Sequence, residues 1–197
     1  MVRIAITGGV AEGKTTVLNL FRDLGARTLS ADAVVANLTR PGTDLWNQLI
    51  RQFGSEIAEA DGTLRRDRLA GLAFAAPYAR RQLNALVHPA VVHAVQRWIA
   101  EQPPSQFPLM IEVPLLIEVA WQGWFDGIVV VCATPSLQRQ RLLARGLPKP
   151  LVQQILRSQL PTRCKVPFAD WQIRTHRSLE WVAQQVHRLW REWGFTP

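Results

Sequence analysis

"VRIAITGGVAEGKTTVLNLF", residues 2–21, decides how the chain is read. Its first six residues form an apolar run broken only by Arg3, the pattern of a buried strand. From Thr15 onward Val17, Leu18, Leu20, Phe21 and Leu24 recur at helical spacing, and Gly25 supplies a stop. Between strand and helix, Gly8-Gly9-Val10-Ala11-Glu12-Gly13-Lys14-Thr15 fits G-x-x-x-x-G-K-[ST], a phosphate-cradling loop in the context it requires. Glycines let the backbone approach an anion, and successive N–H groups with the helix N-terminus make a partly positive concavity. Lys14 would reach the β- and γ-phosphates, and the Thr15 hydroxyl would ligate Mg²⁺. Gly8, Gly9, Ala11, Glu12, Gly13, Lys14, Thr15 and Thr16 are therefore the candidate nucleotide-binding residues.

Glu12 is out of character in such a loop. A carboxylate about 4 Å from a phosphate charge would cost about 4 kcal/mol at an effective dielectric of about 20, against about 0.5 kcal/mol at twice that distance in water. The side chain is therefore expected to face solvent while the amides do the holding. On that expectation Glu12→Ser shifts nucleotide affinity by less than about tenfold.

Working outward, short apolar runs alternate with longer amphipathic stretches, which predicts an α/β fold with a parallel sheet. "RTLSAD" reads as a second strand, "FPLMIEV" (107–113) and "GIVVVCA" (127–133) as buried strands, and "DWQIRT" (170–175) as a weaker last one. Residues 136–146 and 149–161 read as helices hinged at Pro148 and Pro150, and 178–193 as a closing helix. The stretch 33–102 is mostly helical, punctuated by "PG", "DG", Pro77 and "HP" at 88–89, and is too long for a plain crossover. It reads as an inserted helical lobe.

Composition is that of a soluble globular chain, 48% hydrophobic and 19% charged, without an apolar run of membrane-spanning length. The start lacks a secretory pattern and Cys132 and Cys164 are too few for a disulfide framework, so a cytoplasmic setting is expected. The net charge of +8 is almost wholly arginine and attracts polyanions without choosing among them. No D-x-x-G or N-K-x-D guanine signature is present, and a short chain with a lobe beside the loop favours a small-molecule kinase over a motor.

Several further segments stand in a telling order: "LSADAVVANLTRPGT", "FGSEIAEADGTLRRDRLAGLAF", "LNALVHPAV", "IEVPLLIE", "VVVCATPSLQRQRLLARGL" and "SQLPTRCKVPFADWQI". Together with the loop they make the chain resemble the dephospho-CoA kinases over almost its whole length. The resemblance implies a three-layer P-loop kinase fold with a five-stranded parallel sheet. It implies a core at 1–32, 103–138 and 166–197, an acceptor-binding lobe at 33–102 and a lid at 139–165. It implies transfer of the γ-phosphoryl of ATP to the ribose 3′-hydroxyl of dephospho-CoA, with Mg²⁺, and neither nucleic acid nor membrane as partner.

Asp32 matches the family's acidic residue after the second strand, where a carboxylate can orient the attacking hydroxyl and accept its proton; from spacing alone it reads equally as a helix N-cap. Ser30 stands where the family has another acid. Glu112 at a strand end suits Mg²⁺, or is a solvent-edge carboxylate. Arg141 and Arg145 share a helix face with Gln138 and match the family's lid arginines, which reach the transferring phosphoryl on closure; the plainer reading is a basic surface helix. Gln159 and Lys165 match weaker lid positions. His88 belongs to the family's "HP", and Trp121 and Trp124 flank a loop that suits an acceptor pocket. Cys132, Thr175 and His176 depart from the family around the adenine. Two other readings stay open: a P-loop kinase for a nucleoside or similar hydroxyl, and an ATP-regulated nucleic-acid-binding protein with a continuous basic face.

Overall fold

β1 (Arg3–Gly8) runs through the middle of a five-stranded sheet and is buried from Ile4 onward. The computed structural model describes residues 1–195, with the backbone alone for residues 74 and 75. The sheet adds β2 (Arg27–Ser30), β3 (Leu109–Glu112), β4 (Gly127–Cys132) and β5 (Trp171–Arg174), in the order β2-β3-β1-β4-β5. Every pairing is parallel, with Ile6 opposite Glu112, Ile4 opposite Gly127 and Ser30 opposite Glu112. Inner strands of such a sheet are covered on both faces, which is why β3 and β4 are nearly continuous runs of Ile, Val, Leu and Met and β1 is buried from Ile4 to Gly8. The outer strands β2 and β5 are only partly covered.

The chain divides into two units, residues 1–30 with 104–197, and residues 31–103. In the first, α1 (Lys14–Asp23) and α9 (Leu179–Glu192) bury Val17, Phe21, Val182, Val186 and Trp190 with Ile4, Ile6, Val129 and Ile173 of the sheet. Phe21 stacks on Trp193 at 5.4 Å, and Phe107 on Trp190 at 5.5 Å between ring centres, so these tryptophans are packing residues. After β4 come α6 (Pro135–Ala144), α7 (Lys149–Ser158) and the one-turn α8 (Thr162–Lys165). Leu142 and Val152 of this pair of longer helices pack with Ala11 of the glycine loop in a small core of their own.

The second unit holds α2 (Ala31–Leu38), α3 (Asp44–Phe53), α4 (Arg66–Ala75) and α5 (Pro77–Ala100) around Leu45, Leu49, Ile57 and Leu64. The Thr43 hydroxyl caps α3 by accepting from the Trp46 N–H at 3.3 Å, and the Trp46 indole N–H reaches the Gly62 carbonyl at 2.8 Å.

Three expectations need correction. "RTLSAD" is strand only to Ser30; helix starts at Ala31, because Ala31, Val34 and Leu38 repeat with helical period. "HP" does not interrupt α5. Pro89 costs a helix interior about 3 kcal/mol, but Leu83, Leu86, Val87 and Ala90 around it pack on the unit's core and hold the helix through it. Residues 159–161 lie outside α7, and α8 was not foreseen.

Candidate active site

The glycine loop follows β1 at the carboxyl end of the middle strand, where the chain's path across the sheet changes side, the usual ligand position of an open parallel sheet. Gly13 has φ 91°, and a Cβ there would meet Thr175 Cγ2 at 3.3 Å, so glycine is required twice over. Ala11 takes the same left-handed region at φ 57°, which costs a residue with a Cβ about 1 kcal/mol and marks the loop as held in shape by its surroundings. α1 starts without a side-chain cap and without an acidic residue in its first turn, leaving its positive end to face an anion. Lys14 is largely buried and its ammonium donates to the Gly9 carbonyl at 2.9 Å, folded back over the loop.

Beside it the Thr15 hydroxyl lies 3.2 and 3.3 Å from the two carboxylate oxygens of Glu112. Glu112 is 2% exposed, so it is not the solvent-edge carboxylate that the sequence allowed. A hydroxyl and a buried carboxylate brought together from α1 and β3 are hard oxygen donors of the kind Mg²⁺ takes, and two protein ligands suffice where phosphate oxygens supply others.

Glu12 overturns an expectation. Its side chain is 1% exposed rather than turned to solvent. One carboxylate oxygen accepts from the Gly9 N–H at 2.6 Å and from the Thr162 hydroxyl at 2.8 Å; the other accepts from the Ala133 N–H at 3.3 Å. The charge is offset by three donors instead of by water, a solution the phosphate-repulsion argument did not consider. Its negative charge and burial push the neighbouring Cys132 thiol up to about 11, burial being the larger cause, with Arg174 pulling the other way.

Arg141 is committed to the protein: its guanidinium donates to the Ala11 carbonyl at 3.0 Å, the Thr175 hydroxyl at 3.2 Å and the Thr175 carbonyl at 2.7 Å. Thr175 in turn donates to the Glu12 carbonyl at 2.6 Å, so the end of β5 is tied to the loop. Arg145 caps the end of α6 through its backbone N–H, and its exposed side chain makes no hydrogen bond among the described residues. Both arginines line a cavity of about 350 Å³ with Ala11, Gly13, Thr16, and Thr175. The loop is braced from its other side, where Gln159 accepts from the Val10 N–H at 2.9 Å and Gln138 donates to the Val10 carbonyl at 3.0 Å. Lys165 is wholly buried, donating to the Pro114 carbonyl at 2.7 Å and lying 2.9 Å from Glu118.

Asp32, in the other unit, is exposed and is the second residue of α2, so it is not that helix's cap. His88 lies half-buried on α5, and burial lowers its pKa from the ordinary histidine value. Trp121 and Trp124 stack on each other at 5.4 Å. Thr162, Ala133 and Glu118 were not singled out in the sequence. The Thr162–Glu12 contact joins residues 150 apart in the chain, and no local pattern signals it.

A family model described as dephospho-CoA kinase matches residues 2–180. A dephospho-CoA kinase of Symbiobacterium thermophilum is 36% identical over 190 residues, 95% of this chain and 80% of that protein. A solved Thermus thermophilus protein superposes with TM-score 0.82 at 31% identity, covering 97% of each chain. A solved dephospho-CoA kinase from Campylobacter jejuni shares the fold, with TM-score 0.70 at 20% identity over 96% of each chain.

Proposed function

The chain belongs to the dephospho-CoA kinase family, and on that premise we propose that it transfers the γ-phosphoryl group of ATP to the ribose 3′-hydroxyl of dephospho-CoA, giving coenzyme A and ADP. The observation that carries the reading within the molecule is the Thr15 hydroxyl set against the buried Glu112 carboxylate at the uncapped start of α1.

In this mechanism Gly8 and Gly9 shape the loop, and the amides from Ala11 to Thr16 receive the phosphate oxygens. The Lys14 ammonium leaves the Gly9 carbonyl for the β- and γ-phosphates, exchanging a neutral acceptor for charged ones. Thr15 and Glu112 would hold Mg²⁺, which would supply positive charge against the phosphates. Asp32 orients the acceptor and takes its 3′-hydroxyl proton. The hydroxyl oxygen bonds to the γ-phosphorus as the bond from that phosphorus to the β–γ bridging oxygen breaks, leaving ADP. Arg145, whose side chain has no hydrogen-bond partner among the described residues, swings to the transferring phosphoryl, while Arg141 keeps the loop in shape and walls the nucleotide cavity. No described helix is long and apolar enough to cross a membrane, and we assign the reaction to the cytoplasm.

The test is an acceptor screen. Purified protein with ATP and Mg²⁺ is offered dephospho-CoA, adenosine or uridine, and ADP and phosphorylated acceptor are followed together. Stoichiometric ADP and coenzyme A with dephospho-CoA alone is the expected result. Equal or faster turnover of a nucleoside sinks the assignment, as does no turnover of any acceptor.

A further inference from the structure

Three donors converge on one side chain behind the phosphate loop. The Gly9 N–H comes from the loop, the Ala133 N–H from the turn after β4, and the Thr162 hydroxyl from α8. A carboxylate accepts at both oxygens and offers no donor of its own, so Asp or Glu alone can satisfy this arrangement without conflict; an amide would turn N–H against N–H, and serine is too short to span it. Space leaves no slack, since a Cβ on Gly9 would lie 2.7 Å from Gln138 Nε2, 2.9 Å from Thr162 Oγ1 and 3.2 Å from Glu12 Cδ. Beside this junction Gln159 and Gln138 grip the two polar groups of Val10.

We infer that Glu12 is a positioning residue that couples the α7–α8 segment to the nucleotide site through the Thr162 hydroxyl. The left-handed Ala11 and Gly13 backbone directly flanks Glu12, so what fixes its side chain also fixes the amides that receive phosphate. A shift of α8 pulls on the carboxylate, and through it on Gly9 and the strained turn. The geometry makes the loop's phosphate-receiving shape depend on where Thr162 sits.

The inference rests on the proposed nucleotide site, so nucleotide binding is the first readout. Removing Glu12 also removes a negative charge near phosphate, which opposes the loss of bracing, and its own sign is not diagnostic. Thr162→Val keeps the side-chain shape and the Glu12 charge and deletes one donor. ADP affinity by calorimetry and kcat/KM for ATP should each fall about fivefold in T162V, as for one lost hydrogen bond. T162S should return both to within about twofold of the parent. In a Glu12→Ala background, which leaves the Thr162 hydroxyl no acceptor at this position, T162V should lose most of its effect, because the two residues act as a unit. Thermal unfolding is measured alongside. A T162V protein with a lowered Tm but parental ADP affinity, or equal losses with and without Glu12, overturns the coupling. Because T162V and T162S are read against each other, the test stands even if E12A does not fold. Absence of ADP binding in the parent would instead strike at the nucleotide site itself.

Discussion

Arg141→Met should weaken the loop and the molecule together. Methionine keeps an unbranched stem on α6 while deleting three hydrogen bonds, to the Ala11 carbonyl, the Thr175 hydroxyl and the Thr175 carbonyl. Ala11 is 7% exposed and Thr175 3%, so water cannot freely replace the guanidinium at either carbonyl. Two under-satisfied acceptors at about 1–3 kcal/mol each, less what water recovers at the half-buried arginine, give about 3 kcal/mol of lost stability. For a chain of this size that lowers Tm by about 6–12 °C. Freed of its tie, the Ala11 backbone can leave the left-handed region, and restoring it on binding costs about 1 kcal/mol, raising KM for ATP roughly fivefold to tenfold. On the proposed mechanism the proton and phosphoryl steps do not involve Arg141, so kcat should hold within about threefold. Thermal unfolding with and without ADP, and steady-state kinetics at saturating acceptor, read all three quantities. A Tm within about 1 °C of the parent with unchanged KM would refute the bracing role. A fall in kcat of about a hundredfold at parental KM would put the guanidinium on the transferring phosphoryl instead.

Asp32→Asn should cut turnover at least about a hundredfold while ATP binding by calorimetry stays near the parent value, because orientation and proton acceptance are lost and the phosphate loop is untouched. Near-normal turnover would deny Asp32 the base role. Glu112→Gln should raise the Mg²⁺ concentration giving half-maximal rate about tenfold, as for other weakened metal ligands; an unchanged Mg²⁺ titration would take Glu112 out of the metal site. Cys132, with its thiol raised from 9.0 to about 11, should be alkylated by iodoacetamide at pH 8 far more slowly than the exposed Cys164. The same shift makes the folded state hold its proton longer than the unfolded chain. Its contribution to stability is full below pH 9.0 and is lost as pH rises through about 11, so urea midpoints should fall across that window.

The strands and the phosphate loop were readable because each is specified by neighbours in sequence: an apolar run, glycines at fixed spacing, a helix with its period. Thr15 and Glu112 were both readable as single residues, although their meeting depends on β3 pairing with β1. Asp32 was assigned to a strand end because "SAD" was taken with "RTL", whereas the apolar spacing after it favours helix from Ala31. Pro89 was read as a break because proline opposes helix locally, and tertiary packing on both sides outweighs that opposition. Glu12 was misread for a different reason. Its neighbours in sequence offer a choice between water and phosphate, but the partners that decide the matter, Ala133 and Thr162, lie 121 and 150 residues away. Such contacts are properties of the fold and have no period to detect.

The strand order carries a consequence for how the molecule is made. β1 leaves the ribosome before the strands it pairs with, Arg3 with Leu109 and Ile4 with Gly127, so its partners arrive only after the whole helical unit has been synthesised. Until then both edges of β1 stay unpaired, while residues 31–103 already hold an apolar cluster of their own. The nascent chain should therefore pass through a stage with an ordered middle and an orphaned, sticky beginning. Holdase chaperones that capture apolar β segments would find their target in β1, and release would follow translation of β4.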